Sequence, residues 1–396
     1  MKKLRLASLF SGCGGMDLGF EGNFSINPKS YQNTKQSKLP ALNISTIFAC
    51  DINHYTKTVW EHNFSKRKNI QNIYHCESIV DIVKNMRNKK IPIPKNIDIV
   101  TGGFPCNDFS RAGSRKGFSS NKSHTGHFIN DPTIENRGIL YYWMKEFISL
   151  VKPKVFYAEN VKGLTDFKTE FEIICSDFNS INNSSYHLEP IQIINAVNFG
   201  VPQNRERIIF IGFNKNFFKK KILQYVEENK KLPDNLSPYP KNTHGKDQLP
   251  FVTTKDALED LNEPENEKID KSQQHYSKAK FLKNSGQGQN EINPNKPSPT
   301  IRAEHHGNIE FRRLSHENGG KNLLELSKNY KERRLTVREC ARLQTFPDDF
   351  DFVIPDKKIS ASQSYRMIGN AVPPLLGYHL AKRLSEIWSE IFINKN

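Results

Sequence analysis

The sequence predicts an α/β fold with a doubly wound, mostly parallel sheet, joined to a smaller irregular domain. Three observations carry this. Apolar strand-like runs alternate with amphipathic stretches through the first half of the chain. The alternation stops after Gly212, and helical patterning returns only near Leu335. The chain has 396 residues, enough for two domains and a large core.

The elements follow in order. Strands are expected at 4–10, 46–49, 97–100, 155–158, 191–195 and 208–211, with helical stretches such as 55–63 and 140–150 between them. The segment 213–334 is rich in Lys, Asn, Pro and Gln and only weakly periodic, which suits a separate irregular domain. Thr336 with Glu339 fits a capping box at the start of a helix. The stretch 374–393 reads as a helix that packs back on the first domain, so 1–212 and 335–396 form one discontinuous unit. Residues 23–43 and 111–136 read as mobile loops. The second contains Gly113, Gly117 and Gly126 and suits a lid.

Composition narrows the function classes. Apolar residues are 36% and aromatic residues 11%, as in a globular protein with polar loops. No stretch approaches the roughly 20 apolar residues that span a bilayer. Met1 to Cys13 superficially mimics a lipoprotein signal, but Arg5 interrupts an apolar region already too short, so a cytoplasmic protein is expected. Cys13, Cys50, Cys76, Cys106, Cys175 and Cys340 form no CxxC pair, and His305-His306 lacks ligand spacing. Neither a disulfide framework nor a metal is expected. A net charge of +16 points to a polyanion, nucleic acid before an acidic membrane. The bland alternative is a lysine-rich, highly soluble protein.

Cys106 lies in Gly102-Gly103-Phe104-Pro105-Cys106-Asn107-Asp108-Phe109-Ser110, at the sharp exit of the strand at 97–100. A thiol on such a turn stands where α/β enzymes place reacting groups. A lone Cys is otherwise a small core residue. The glycine loop from Phe10 through Gly12, Cys13, Gly14 and Gly15 follows the first strand and lets a ligand approach backbone. A GxGxxG fingerprint started at Gly12 fails at Asp17, which disfavours a nicotinamide oxidoreductase and favours a nucleoside without a pyrophosphate. Asp51 ends the next strand, where an acid binds ribose hydroxyls or simply caps a helix. Glu159 and Asn160 follow the run at 155–158, on the same sheet rim as Cys106. Thiol and carboxyl there make a nucleophile with a proton donor, or else the Glu is a cap. Arg205 and Arg207 share one face of the strand entering 208–211 and suit a phosphate or carbonyl, unless both are simply solvated.

In that order the motifs resemble the DNA (cytosine-5)-methyltransferase family of the bacterial restriction–modification type. The resemblance runs from Leu6 to about Pro374 and includes Arg338 to Pro347 and Gly369-Asn370-Ala371-Val372-Pro373-Pro374. It implies the sheet of S-adenosylmethionine-dependent methyltransferases, with 213–334 as a target-recognition domain. It implies Cys106 as the nucleophile on cytosine carbon 6, Glu159 at ring nitrogen 3, Arg207 on the base carbonyl and Arg205 orienting the loop or a phosphate, with Asn160 beside them. It implies cofactor contacts from Phe10, Gly12, Cys13, Gly15, Asp51, Ile52, Glu77, Phe104, Pro105, Leu140, Asn370 and Val372, the product being S-adenosylhomocysteine. It implies DNA contacts from Ser110, Arg111, Thr300 and Arg302. The expected partner is double-stranded DNA, with a cognate restriction endonuclease acting independently of a monomeric enzyme. Asn107 stands where Gln is usual after the nucleophile, Asp51 where Glu is commoner, Glu77 where Asp is usual, and Ala371 where Ser is common. Two rivals share the fold. The substantial region at 213–334 favours DNA over an RNA cytosine methyltransferase, and intact Cys106, Glu159 and Arg207 argue against a non-catalytic DNA binder, which needs no nucleophile.

Overall fold

The computed structural model describes residues 3–31, 38–65, 70–105, 117–129, 133–283, 288–303, 309–328 and 330–393. The chain runs β1 (Leu4–Leu9), α1 (Gly15–Glu21), β2 (Ile44–Cys50), α2 (His54–Asn63), β3 (Tyr74–His75), α3 (Ile79–Arg87), β4 (Ile99–Gly103), α4 (Leu140–Val151), β5 (Val155–Val161), α5 (Lys168–Asn179), α6 (Ile181–Ser184), β6 (Tyr186–Leu188), β7 (Gln192–Asn195) and β8 (Glu206–Asn214). It continues through α7 (Lys220–Asn229), α8 (Thr254–Leu258), α9 (Lys271–Gln274), β9 (Phe311–Arg313), α10 (Leu323–Leu326), β10 (Arg333–Arg334), α11 (Val337–Leu343), α12 (Ala361–Asn370) and α13 (Pro374–Ile391).

The main sheet has the order β3-β2-β1-β4-β5-β8-β6, with β7 also beside β8. The five strands from β3 to β5 are parallel. β8 is antiparallel to β5, and β6 and β7 pair with successive stretches of β8. The chain winds outward from β1 to β3, then returns to the other side of β1 for β4 and β5. The winding therefore reverses between β1 and β4, where Leu9 pairs with Gly102. Loops leaving the carboxyl ends of two such strands part from each other and open a crevice for a ligand.

Side chains alternate between the faces of the strands. On one face Leu6, Ile99, Tyr157 and Ile211 pack with Met16 and Phe20 of α1 and with Leu376 and Leu380 of α13. On the other, Ala7, Val100, Phe156 and Phe210 pack with Val80 and Val83 of α3, Met144 and Phe147 of α4, and Phe178 of α5. Both faces are covered, which is why these strands read as near-continuous apolar runs.

Several expectations shift. β3 and β6 are two and three residues long and have no apolar run of their own to announce them. β5 extends to Val161, so Glu159 and Asn160 lie inside the strand rather than beyond it. The expected loop at 23–43 packs where it is described: Phe24, Ile26 and Leu39 are buried in the α1/α13 core. Of the expected lid at 111–136, residues 111–116 and 130–132 lie outside the described residues; in the rest Phe118 stacks on Tyr141, and the Ile134 carbonyl accepts from Trp143.

The packing does not change at residue 213. Phe218, Ile222, Val226, Leu236 and Tyr239 share the α1/α13 core, because α7 carries its apolar face toward α13. A third core then joins Ala257, Leu258, Ile292, Ile301 and Ile309 to α11, α12 and the α2 side chains Val59 and Trp60. At its edge Arg333 is paired with both Glu263 and Glu339. Glu339 also completes the capping box with Thr336. Burial opposes its ionisation, but Arg333 outweighs that and holds the carboxyl down to about 2. No helix among the described residues is long and apolar enough to cross a membrane.

Candidate active site

The site is built at the carboxyl ends of β1, β4 and β5. Gly103, the last residue of β4, pairs in register with Glu159 of β5. A Cβ on Gly103 would stand 2.8 Å from Glu159 Oε2. Glycine there leaves the space that the carboxylate fills. Glu159 Oε1 accepts from Arg207 Nε at 2.7 Å, and both side chains are only about one-tenth exposed. Arg207 lies on β8, opposite Val161, and its guanidinium also donates to the Glu206 carbonyl at 2.7 Å. The neighbouring Asn160 donates from Nδ2 to the Phe104 carbonyl at 3.0 Å. β5 therefore grips the chain two residues before Cys106. Cys106 itself lies outside the described residues, as do Asn107, Ser110 and Arg111. Pro105, half-buried, is the last described residue before them.

The glycine loop lies across the crevice. Gly12 donates its N–H to Asp51 Oδ2 at 3.1 Å, and Asp51 Oδ1 accepts from Asn53 N–H at 3.0 Å. The Gly12 carbonyl accepts from the Tyr74 hydroxyl at 2.9 Å. Gly12 has φ +55°, and among the described residues a Cβ there would meet nothing within 4 Å. Its conformation favours glycine, and no described residue fills the space above it. Burial raises the pKa of Asp51, opposed by N–H donation from Asn53, Gly12 and Ile52. Each Asp51 oxygen keeps acceptor capacity for a hydroxyl. Ile52 is 52% exposed beside it, an apolar surface at a polar rim. Glu77 and Asn370 are also exposed at the rim elements β3 and α12. This set fits a nucleoside: a carboxylate for ribose hydroxyls, an open glycine backbone and an apolar flank.

Other expected cofactor residues point inward. The Cys13 thiol is buried 3.8 Å from the Met367 carbonyl. A Cβ on Gly15 would meet the Val372 carbonyl at 2.4 Å, so this glycine serves the close packing of α1 on the turn before α13. Leu140 and Phe104 lie in the α3/α4 core, and Val372 in the α1/α13 core. Phe10 adopts φ 51° at the end of β1 and is half-buried.

Arg205, expected to orient the loop or a phosphate, is turned to backbone carbonyls. Arg205 is 1% exposed, and its guanidinium donates to the carbonyls of Ile301 at 3.1 Å, Gly369 at 2.7 Å and Ala371 at 2.9 Å. It shares a face with Arg207, but it ties backbone together. Thr300 Oγ donates to the Asn204 carbonyl at 2.6 Å, and Arg302 pairs with Glu310 at 3.3 Å while remaining 37% exposed. Two further residues have no role assigned from the sequence. Tyr74 carries no local signal, because its role depends on β3 lying beside β2. Gln203 begins the run Gln203-Asn204-Arg205-Glu206-Arg207, and its amide was the available clue. Among the described residues no group of three or more His, Cys, Asp or Glu side chains could hold a metal ion.

Comparison with known proteins adds independent findings. The family described as C-5 cytosine-specific DNA methylase matches residues 4–386. The chain is 31% identical over 398 residues to the type II methyltransferase M.FnuDI of Fusobacterium nucleatum, covering 97% of this chain and 94% of that protein. It is 28% identical over 378 residues to M.Bsp6I of a Bacillus species, covering 93% and 94%. Among solved structures, an Entamoeba histolytica methyltransferase superposes with a TM-score of 0.59 at 17% identity, covering 98% of this chain and 99% of that one. A Schizosaccharomyces pombe Dnmt2 methyltransferase gives 0.58 at 18% identity, covering 98% and 99%. At these identities the two structures speak for the fold alone.

Proposed function

The chain belongs to the C-5 cytosine-specific DNA methylase family, and from that premise we propose that this DNA cytosine-5 methyltransferase works on an extruded base through Cys106, Glu159 and Arg207. The observation that carries the proposal is the Glu159–Arg207 pair, seated over Gly103 three residues before Cys106. Carbon 5 of cytosine is a poor nucleophile until a group adds at carbon 6. The Cys106 thiolate makes that bond, since a thiol is partly ionised at neutral pH and strongly nucleophilic. Glu159 holds a proton at ring nitrogen 3, so that charge does not accumulate on the ring. Arg207, oriented by Glu159, binds the base carbonyl. S-adenosylmethionine, when bound, supplies an electrophilic methyl group and leaves as S-adenosylhomocysteine. Gly12, Asp51, Ile52 and the Asn370 segment would hold it. Loss of the carbon 5 proton and of Cys106 then releases 5-methylcytosine.

A buried carboxylate and guanidinium cannot reach a base stacked in a duplex. The cytosine is therefore flipped out, at a cost of a few kcal/mol. Phosphate contacts from the basic surplus of +16 offset this, which makes binding salt-dependent. The enzyme acts as a cytoplasmic monomer and protects host DNA from a separate endonuclease. The test is methyl transfer to duplex DNA, with Cys106→Ser as control. Label on cytosine carbon 5, lost in the variant, is the expected result. Label on adenine, or an undiminished variant, overturns the reading. Duplexes with 5-fluorocytosine in the target site should trap a covalent adduct with the wild-type protein.

A further inference from the structure

The strand that delivers Arg207 to the site is bolted, just before it, to a segment of the recognition region. Pro202 to Arg205 lies beside Ser298 to Ile301. The Ser298 N–H donates to the Pro202 carbonyl and the Ser298 carbonyl accepts from the Asn204 N–H, both at 2.9 Å. The Ile301 N–H donates to Gln203 Oε1 at 3.0 Å, and the Ile301 carbonyl accepts from Arg205 at 3.1 Å. Thr300 Oγ donates to the Asn204 carbonyl at 2.6 Å. Thus four backbone groups of Ser298 and Ile301 end on 202–205, and Arg207 follows two residues later.

Gln203 is the junction. It is 0% exposed, and while its oxygen holds Ile301 its Nε2 donates to the Leu343 carbonyl at 3.1 Å and to Gln344 Oε1 at 3.2 Å. Gln344 in turn donates to the Ile368 carbonyl at 2.8 Å. Gly369 closes the same frame, since a Cβ there would strike the Arg302 backbone at 2.3 Å. Only an amide of this length can donate and accept at once across the gap. Leucine would orphan the Ile301 N–H.

We infer that Gln203 is a positioning residue that fixes the register between the 298–302 recognition segment and the base-binding Arg207. It thereby governs how strictly methylation follows the DNA sequence. This rests on the proposed function, and goes beyond it by naming what links sequence reading to chemistry. DNA fixes the distance between the bases read in the groove and the base extruded. A protein frame that slips relative to that distance loses discrimination as well as rate, because a misplacement near 1 Å costs about 100-fold in catalysis.

The experiment compares wild type, Gln203→Leu, Thr300→Val and the double variant. Sequencing of wild-type-methylated DNA defines the target, and initial rates are then measured on that site and on single-mismatch sites. The ratio of target to mismatch rates should fall by about tenfold in each single variant, within the discrimination that one mismatched base pair ordinarily carries. S-adenosylhomocysteine affinity should stay within about twofold, because Arg205, Asp51 and Gly12 are untouched. The double variant should lose no more than the worse single, as expected for two bonds serving one element. An unchanged ratio, equal losses on target and mismatched DNA, or additive losses overturn the inference. Thr300→Val preserves side-chain shape, so it decides the matter even if Gln203→Leu does not fold. A wild-type protein that leaves cytosine unmodified overturns the proposed function instead.

Discussion

Adding one methyl group at Gly103 should cost activity, whereas the same methyl at Gly102 should cost stability. A Cβ on Gly103 would stand 2.8 Å from Glu159 Oε2, and among the described residues, chain neighbours aside, the next atom is the same carboxyl carbon at 4.0 Å. Ordinary contact begins near 3.4 Å, so Gly103→Ala must displace the carboxylate by roughly 0.6 Å. That carboxylate is not free to swing, because Arg207 Nε holds its other oxygen at 2.7 Å. The displacement therefore passes into the pair. Scaling from about 100-fold per ångström of misplacement gives about a tenfold loss of kcat. Gly103 does not have a positive φ, so alanine adds no backbone strain. A Cβ on Gly102 would instead meet Met144 Sδ at 2.9 Å and Leu9 Cβ at 3.3 Å, within the α3/α4 core. Overpacking of that kind costs about 1–3 kcal/mol. Steady-state methyl transfer and thermal melting on both variants separate the effects. A Gly103→Ala protein with full kcat would refute the placement of Glu159 as part of the machinery.

Further expectations concern the other polar groups. Glu159→Gln should lower kcat by at least about 100-fold while S-adenosylhomocysteine affinity, read by calorimetry, is nearly unchanged. Asp51→Asn should weaken S-adenosylhomocysteine about tenfold, through loss of a charge-assisted acceptor, and leave the melting temperature close to wild type. His379 is buried on α13, its Nε2 has no hydrogen-bond partner among the described residues, and burial, aided by Lys382 and His244, lowers its pKa from 6.5 to about 3. The folded state thus keeps the ring neutral. Its contribution is complete above 6.5 and is lost as pH falls from there toward 3, at up to about 1.4 kcal/mol per pH unit. Urea titrations from pH 7 to 4 should show this slope, and it should flatten in His379→Leu. Equal slopes would mean that other groups dominate acid unfolding.

Much of the fold was legible because β1, β4, β5 and β8 are buried on both faces, and burial on both faces leaves a continuous apolar run. β3 and β6 were not, since strands of two and three residues exist only because neighbours supply the ladder. Just past the expected boundary at 213, Lys220 to Asn229 is polar on average, yet Ile222 and Val226 lie on one face and join the α1/α13 core, which is a matter of phase rather than composition.

The site divides along the same line. Gly12, Asp51, Glu159 and Arg207 lie in or next to strands that the sequence announces, so their place near the sheet rim could be expected from local pattern alone. Arg205 could not be told from Arg207 in this way. Two arginines on one face look alike in sequence, and what separates them is whether carbonyls from 301, 369 and 371 converge on the side chain. Convergence depends on segments about 100 and 165 residues away, which no local pattern records. A basic motif at the mouth of a site should therefore be read as a pair of unlike parts: one guanidinium that turns to a buried acid and remains aimed at substrate, and one consumed in holding the frame. Here the buried acid is Glu159. Its 2.7 Å contact with Arg207 is what distinguishes that arginine from Arg205, and it is the arginine that the proposed mechanism turns to the base.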